Sequence, residues 1–236
     1  MGALMSLDQP DAHTAQVWAR ELEGKDPQDI IRFAVAHFPG PLAVATQFGL
    51  EGCTLLHRVV RVTRNVRFFT IDTGLLFAET YQLAARLEKY LGIAIERIRP
   101  GESVAEQAVS QGPNLWEKNP DLCCELRKVA PMRSALAGMG GWMTGVRREQ
   151  TASRSDTPVV QWDAQFGLLK VAPLAAETAE QVERYACNNH IPTNPLRAVG
   201  YQSVGCMTCT RPVKDGENPR AGRWWRSPKT ECGLHR

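Results

Sequence analysis

A chain of 236 residues, 43% hydrophobic and 22% charged, carries enough apolar material for one core of ordinary to large size, which excludes global disorder. Its 28 basic and 25 acidic residues leave a net charge of +3, too small a bias to point to nucleic acid or an anionic membrane as partner. The longest stretch free of Asp, Glu, Lys and Arg, Phe33 to Leu50, is broken by Pro39-Gly40-Pro41, so it is not read as a membrane span. Asp8, Asp11 and His13 precede any apolar run; no secretory leader is read, and the expected location is cytoplasmic.

Residues 12 to 37 read as two polar-faced helices anchored by Trp18, Leu22, Ile30, Phe33 and Phe38. Leu42 to Thr46 is a short apolar run between Pro41 and Gln47-Phe48-Gly49, the pattern of a buried strand, and a helix from about Gly52 to Thr63 follows. A second strand, Val66 to Ile71, leads through Asp72-Thr73-Gly74 into a third helical segment. Its Leu76, Leu83, Leu87 and Leu91 share a face, and Gly92 is a natural stop. Ile93 to Ile98 alternates as a strand does. This succession predicts an α/β fold on a parallel sheet.

Further along, Asp121 to Leu136 reads as a helix, Trp142 to Val146 and Val159 to Trp162 as strands, and Glu177 to Asn189 as a helix. From Ile191 the texture changes, with Pro192, Pro195, Gly200, Gly205, Pro212 and Gly216 opening a punctuated tail that has no periodic segment. Tails of this kind are functional or disordered.

The chain has seven cysteines, at positions 53, 123, 124, 187, 206, 209 and 232. In a reducing compartment structural disulfides are rare, which leaves metal ligation or thiol chemistry as the leading readings. Cys123-Cys124 and Cys206-Met207-Thr208-Cys209 form one group. Adjacent cysteines suit neither a structural zinc site, whose ligand pairs are spaced by two to four residues, nor a disulfide. Four thiolates suit a cubane iron–sulfur cluster, one per iron. On these residues alone cluster, zinc and plain packing stay open. Cys53 and Cys187 lie outside every motif and are expected to be buried packing residues.

Cys232 sits in Glu231-Cys232-Gly233-Leu234-His235 among Lys229, His235 and Arg236. Positive neighbours favour the thiolate that a nucleophile needs; the plain alternative is an incidental thiol on a frayed end. The loop Thr46-Gln47-Phe48-Gly49-Leu50-Glu51-Gly52 joins a strand to a helix, an arrangement that presents backbone N–H groups to a phosphate. It is neither a Walker A loop nor a G-x-G-x-x-G fingerprint. Asp72-Thr73-Gly74 ends the next strand, where a ribose or base is often gripped, although Asp and Thr there also serve as ordinary caps. Lys128, Arg147, Arg148, Arg220 and Arg223 are the cations nearest these motifs. Separately each reads as a surface charge; together they suit a small polyanion. Trp224 and Trp225 either flank such a site or cover core.

Cys123-Cys124-Glu125-Leu126-Arg127-Lys128, Thr144-Gly145-Val146-Arg147-Arg148-Glu149-Gln150, Gly205-Cys206-Met207-Thr208-Cys209 and the terminal Glu-Cys-Gly-Leu-His together resemble the sulfonucleotide reductases. They are closest to the cluster-containing bacterial assimilatory adenylyl-sulfate (APS) reductases, and the resemblance runs from about Leu42 to His235. It implies a fold like that of the PP-loop adenine nucleotide α-hydrolases: an α/β nucleotide-binding domain over residues 1–190, and a C-terminal segment, 191–236, packed on the same domain. It implies thioredoxin-dependent reduction of adenosine 5′-phosphosulfate to sulfite and AMP through an S-sulfocysteine on Cys232. By resemblance Lys128, Arg220, Arg223 and His235 contact the phosphosulfate, with Arg147 a weaker candidate. Thr46, Gly49, Asp72 and Thr73 then line the adenosine side. The same resemblance puts one 4Fe-4S cluster on Cys123, Cys124, Cys206 and Cys209, its charge conveyed through Lys128. The reductant expected is thioredoxin or a glutaredoxin-like dithiol protein; a homo-oligomer is left open.

One departure is the phosphate-side loop, commonly serine-rich in this family and here Thr46-Gln47. Three rival readings stand behind the first. A reductase specialised for 3′-phosphoadenosine 5′-phosphosulfate (PAPS) lacks the four cluster cysteines. A PP-loop tRNA-thiolating enzyme wants an S-G-G-x-D-S loop and a basic surface. A zinc-knuckle binding module would leave Cys232 without a task.

Overall fold

The computed structural model describes residues 11–235; Asp8 and Arg236, which entered the readings of the two ends, lie outside them. Helices α1 (Ala12–Leu22) and α2 (Pro27–His37) lead into strand β1 (Leu42–Thr46), and both helices begin at an aspartate. Asp11 accepts from the Thr14 amide and Asp26 from the Gln28 amide, each at 2.8 Å, satisfying N–H groups that the first helical turn leaves without a partner. Then come α3 (Leu50–Val60), β2 (Arg67–Ile71), α4 (Ala78–Leu91) and β3 (Glu96–Ile98). Gly92 closes α4 in the left-handed conformation, at φ 65°, as its position suggests.

The region from Val104 onward is more helical than the periodicity predicts. It holds α5 (Val104–Gln111), α6 (Leu115–Lys118), α7 (Pro120–Cys124), a π-helical turn over Glu125–Val129, and α8 (Ala130–Leu136). The helix expected from Asp121 to Leu136 is therefore present but locally underwound at its centre, in the π turn. Strands β4 (Gly141–Met143), β5 (Val160–Asp163) and β6 (Leu168–Val171) precede α9 (Ala179–Asn188). β6 is absent from the sequence reading, because Lys170 interrupts its apolar run.

The six strands form one sheet in the order β3-β2-β1-β4-β6-β5. All pairs are parallel except β5 with β6, an antiparallel hairpin at one edge. Sheet order reverses direction at β1 and β4, and in open α/β sheets ligands bind at the carboxyl ends of the strands at such a switch point. One face of the sheet is covered by α1 to α4 and α9, through Ile31, Leu55, Leu56, Leu83, Leu87 and Val182. The other face packs Phe69, Ile71 and Trp142 against Val129, Met132 and Leu136, and against Leu234 from the C-terminal tail. The tail is thus part of the core. Cys53 is buried as expected, whereas Cys187 is exposed: it lies on α9 away from the buried Val182 and Ala186.

Arg58 is 5% exposed on α3, with its guanidinium 2.6 Å from Glu177 and 3.8 Å above the Tyr185 ring. Burial pushes the Glu177 carboxyl up and Arg58 opposes it, so the pair fixes the α3–α9 contact only while both charges are present. Removing one partner of a buried pair costs about 3 kcal/mol or more. Arg58→Met should lower the unfolding free energy by about that amount, and Arg58→Met combined with Glu177→Gln by clearly less. Urea denaturation of the two variants and the parent tests this.

Candidate active site

A cleft of about 440 Å³ opens at the carboxyl ends of β1 and β4 and is walled on its outer side by the tail. Its floor is the loop after β1. Phe48 takes a positive φ of 57° there and donates its amide to Thr46 Oγ1 at 3.0 Å, which turns the chain sharply into α3. Gly49 caps α3 without a side-chain hydrogen bond, leaving the amides of the first turn free to meet an anion. Thr46 and Gly49 both line the cleft.

The wall after β4 carries Thr144-Gly145-Val146-Arg147. A Cβ on Gly145 would stand 3.0 Å from the Glu51 carbonyl carbon, so only glycine lets this strand end approach the α3 loop so closely. Arg147 bridges the two walls: its Nε and Nη2 lie 3.1 and 3.0 Å from Glu51 Oε1, and Nη1 lies 3.0 Å from Glu149. It lines the cleft with its charge already matched.

Opposite stand Lys128, Arg154, Arg220 and Arg223, with Cys232 and His235. Burial opposes the Lys128 ammonium, but the sulfurs of Cys206, Cys232 and Cys124 outweigh it and hold the pKa above the ordinary lysine range. Burial lowers the Arg220 pKa to about 10; Glu231 opposes the drop, while Arg154 and Arg223 add to it. This end of the cleft is crowded with like charge, which is the condition an anionic ligand relieves. Arg223 Nε is buried with no hydrogen-bond partner among the described residues. A Cβ on Gly205 would fall 2.3 Å from the Arg223 guanidinium, so a bare glycine makes room for it.

The terminal motif is held residue by residue. Arg154 grips Glu231 with two bonds, Nε to Oε1 at 2.9 Å and Nη2 to Oε2 at 2.6 Å, and Arg220 adds a third at 3.3 Å. Gln165 donates to the Gly233 carbonyl at 2.8 Å, and Leu234 enters the core. His235 stacks on Trp142 with ring centroids 5.7 Å apart and planes 12° apart, and the Trp142 indole donates to Asp163 at 3.1 Å. Burial, helped by Lys170, Arg154 and Arg220, drives the His235 pKa well below the usual imidazole range. The ring is neutral at physiological pH, and its Nδ1 has no partner among the described residues. Cys232 is half-buried between Glu231 and Gly233 and faces the cleft.

Behind Lys128 lies a second, small cavity lined by Cys123, Cys124, Cys206 and Cys209 together with Trp116 and Arg127. Met207 donates its amide to the Leu75 carbonyl at 2.7 Å and Leu76 bridges to Cys206, which brings the tail cysteines over α7. Burial, reinforced by the other three sulfurs, pushes the Cys123 thiol up to about 12, and burial also raises Cys124 and Cys209. Among the described residues no three His, Cys, Asp or Glu side chains gather round a single ion position. Four soft donors line one cavity, and the sulfurs of Cys124, Cys206 and Cys209 oppose ionisation of Cys123, a set that cationic iron would compensate. The residues fit such a group.

Asp72 and Thr73 do not line the cleft, contrary to expectation. Pairing of Leu75 and Leu76 with the tail turns this loop toward the thiols, and Thr73 Oγ1 lies 3.3 Å from Cys206 Sγ. Asp72 accepts from the Tyr81 hydroxyl at 2.6 Å, the Gly74 amide at 3.1 Å and Arg99 at 3.3 Å. Sequence reasoning missed Arg154 and Trp142. The third arginine of Arg147-Arg148-Glu149-Gln150-Thr151-Ala152-Ser153-Arg154 was the available signal for the first; nothing local marks the second.

A switch-point cleft with a bare helix start on one side and a cationic, thiol-bearing end on the other defines an open α/β protein built to receive an anion. The backbone resembles that of Candida glabrata FMN adenylyltransferase (TM-score 0.58, 11% identity, 92% of this chain and 74% of that one), a likeness of fold alone. Residues 41–212 match the phosphoadenosine phosphosulfate reductase domain, and the chain belongs to that family. It is 40% identical to adenosine 5′-phosphosulfate reductase of Salinibacter ruber, over 91% of this chain and 86% of that one. It is 42% identical to phosphoadenosine 5′-phosphosulfate reductase of Gloeobacter violaceus, over 97% and 98%. A crystal structure of phosphoadenylyl-sulfate (PAPS) reductase from Candida auris superposes with a TM-score of 0.75 at 31% identity, covering 86% of this chain and 98% of that one.

Burial raises the Asp72 carboxyl, but the Tyr81, Gly74 and Arg99 donors outweigh it and leave the pKa below its ordinary value. Such a group stabilises the fold above the unfolded carboxylate range, and that contribution is lost as pH falls through the folded value. Asp72→Asn should therefore cost stability at about pH 7 and little at about pH 3, as urea midpoints at the two pH values will report.

Proposed function

We propose that the protein reduces adenosine 5′-phosphosulfate to sulfite and AMP in sulfate assimilation, with Cys232 as nucleophile and a thioredoxin-like dithiol protein as reductant. The observation that carries this is one half-buried thiol on a cleft wall that also bears the cations Lys128, Arg154, Arg220 and Arg223 at that end. The chemistry needs just this: a thiolate must approach a sulfur that bears three oxygens and is joined to a phosphate, and without surrounding cations the repulsion would block attack.

Adenosine lies over the loop Thr46 to Gly52, with the phosphosulfate toward the tail. The Cys232 thiolate attacks sulfur, the bond from sulfur to the bridging oxygen breaks, and AMP leaves with that electron pair. The enzyme then holds Cys–S–SO₃⁻. A thiolate of the reductant attacks the Cys232 sulfur and displaces sulfite, and its second thiol resolves the mixed disulfide, so that the dithiol is oxidised and Cys232 restored. Lys128, Arg220 and Arg223 neutralise the anion during attack. Neutral His235 stands beside the nucleophile, held by Trp142. Arg154 keeps Glu231, and with it Cys232, at the cleft.

Cys123, Cys124, Cys206 and Cys209 would hold a 4Fe-4S cluster, one thiolate per iron. When bound it supplies fixed charge beside the site and ties residues 191–235 to α7 through metal–sulfur bonds. No helix among the described residues is long and apolar enough to cross a membrane, which accords with a cytoplasmic enzyme.

A second reading, PAPS as substrate, is favoured by the relatives named for that nucleotide. Both are tested by sulfite release from anaerobically purified protein with reduced thioredoxin, given APS or PAPS in parallel. APS turnover with about four irons per chain is expected; no sulfite from either nucleotide rejects the proposal, and faster PAPS turnover exchanges the substrate. Cys232→Ser should lose sulfite release while still binding nucleotide. Lys128→Ala should lower turnover about a hundredfold with iron retained, as paired iron and rate assays will report.

A further inference from the structure

Trp224 combines three features that packing does not require. Its φ is 46°, a left-handed backbone that a bulky residue avoids unless the surroundings impose it. They do: the Trp224 amide donates to the Cys209 carbonyl at 2.9 Å, Arg223 donates to the Arg220 carbonyl at 2.8 Å, and Ser227 donates to the Trp224 carbonyl at 2.7 Å. The ring lies close to two guanidiniums, those of Arg223 at 4.5 Å and Arg220 at 5.9 Å from its centroid. Finally, the side chain lines the cleft at 4% exposure, and its Nε1 is buried with no hydrogen-bond partner among the described residues.

An indole N–H can only donate, and a buried donor without an acceptor is costly. The neighbouring Arg220 and Arg223 guanidiniums are donors too, so the group that satisfies all three is an anion. We propose that Trp224 is a substrate-binding residue, its indole N–H donating to an oxygen of the phosphosulfate while its ring steadies Arg220 and Arg223. This rests on the reductase reading and adds to it one neutral donor, fixed in direction by a rigid ring. An arginine in its place would raise the repulsion already present among the cations, whereas indole adds a hydrogen bond without adding charge.

The test separates donor from packing. Trp224→Phe keeps a ring against the arginines and removes the N–H. In a Cys232→Ser background, which binds without turnover, calorimetry compares APS with adenosine. Loss of a hydrogen bond to a charged group predicts APS binding weakened tenfold or more, with adenosine unchanged. APS affinity equal to the parent's, or APS and adenosine weakened alike, overturns the proposal. Should the Phe variant melt early, a benzothienylalanine at position 224, the same shape with sulfur in place of N–H, gives the same two readings. Absence of sulfite production by the parent protein would reject the reductase reading instead, while the two affinities still decide whether Trp224 binds the anion.

Discussion

The architecture turns on a single carboxylate. Glu231 meets Arg154 through two bonds and Arg220 through one, and these bonds fix the last residues of the described chain against the carboxyl edge of the sheet. Residues 191–235 hold only short helical turns and isolated bridges, so they draw little order from ladders of their own. They are held by what they touch: the Arg154 fork, the Gln165 amide under Gly233, the pocket for Leu234 and the Trp142 face under His235. Arg154 and Gln165 lie between β4 and β6 in the chain, and Trp142 lies on β4 itself, the strand paired with β1 at the switch point. Thus the strands that complete the sheet also seat Cys232.

Cleft charge follows from the same arrangement. On the α3 side Arg147 is matched by Glu51 and Glu149, and Arg197 is matched by Glu183 at 2.6 Å. On the tail side Glu231 is the one acid for Arg154 and Arg220, and neither Lys128 nor Arg223 forms an ion pair among the described residues. The cavity is therefore polarised along its length. A molecule with a neutral, aromatic end and a doubly anionic end has one favourable orientation in it, and that orientation brings the anion to Cys232.

Much of this was legible in the chain. The alternation from Leu42 to Ile98 and the stop at Gly92 are local patterns, and they appear as read; the cysteine motifs are local too, and the fold gathers four of their thiols around one cavity. What escaped was relational. Lys170 hides β6 because a charged residue in a short run argues against burial, yet it is covered by the Trp142 ring at 5.3 Å. Asp72 and Thr73 carry the residue types of a nucleotide turn, but the pairing of Leu76 with Cys206 redirects them to the thiols. Residue type alone places Cys187 in the core; only its position on α9 reveals which side it is on. Arg154 and Trp142 belong to the site because of a tail some eighty residues later, a separation that no local pattern spans.

The π turn over Glu125–Val129 has a consequence of its own. Lys128 comes five positions after Cys123 and four after Cys124, which in an α-helix would point it about 140° from the first thiol and about 40° from the second. The wider turn, closing on the fifth residue rather than the fourth, narrows the angle between Lys128 and Cys123, and Lys128 faces both cavities. A π turn is what an ordinary helix becomes when it accepts one surplus residue. Here that turn holds a single ammonium where it faces the open cleft on one side and the thiol-lined cavity on the other.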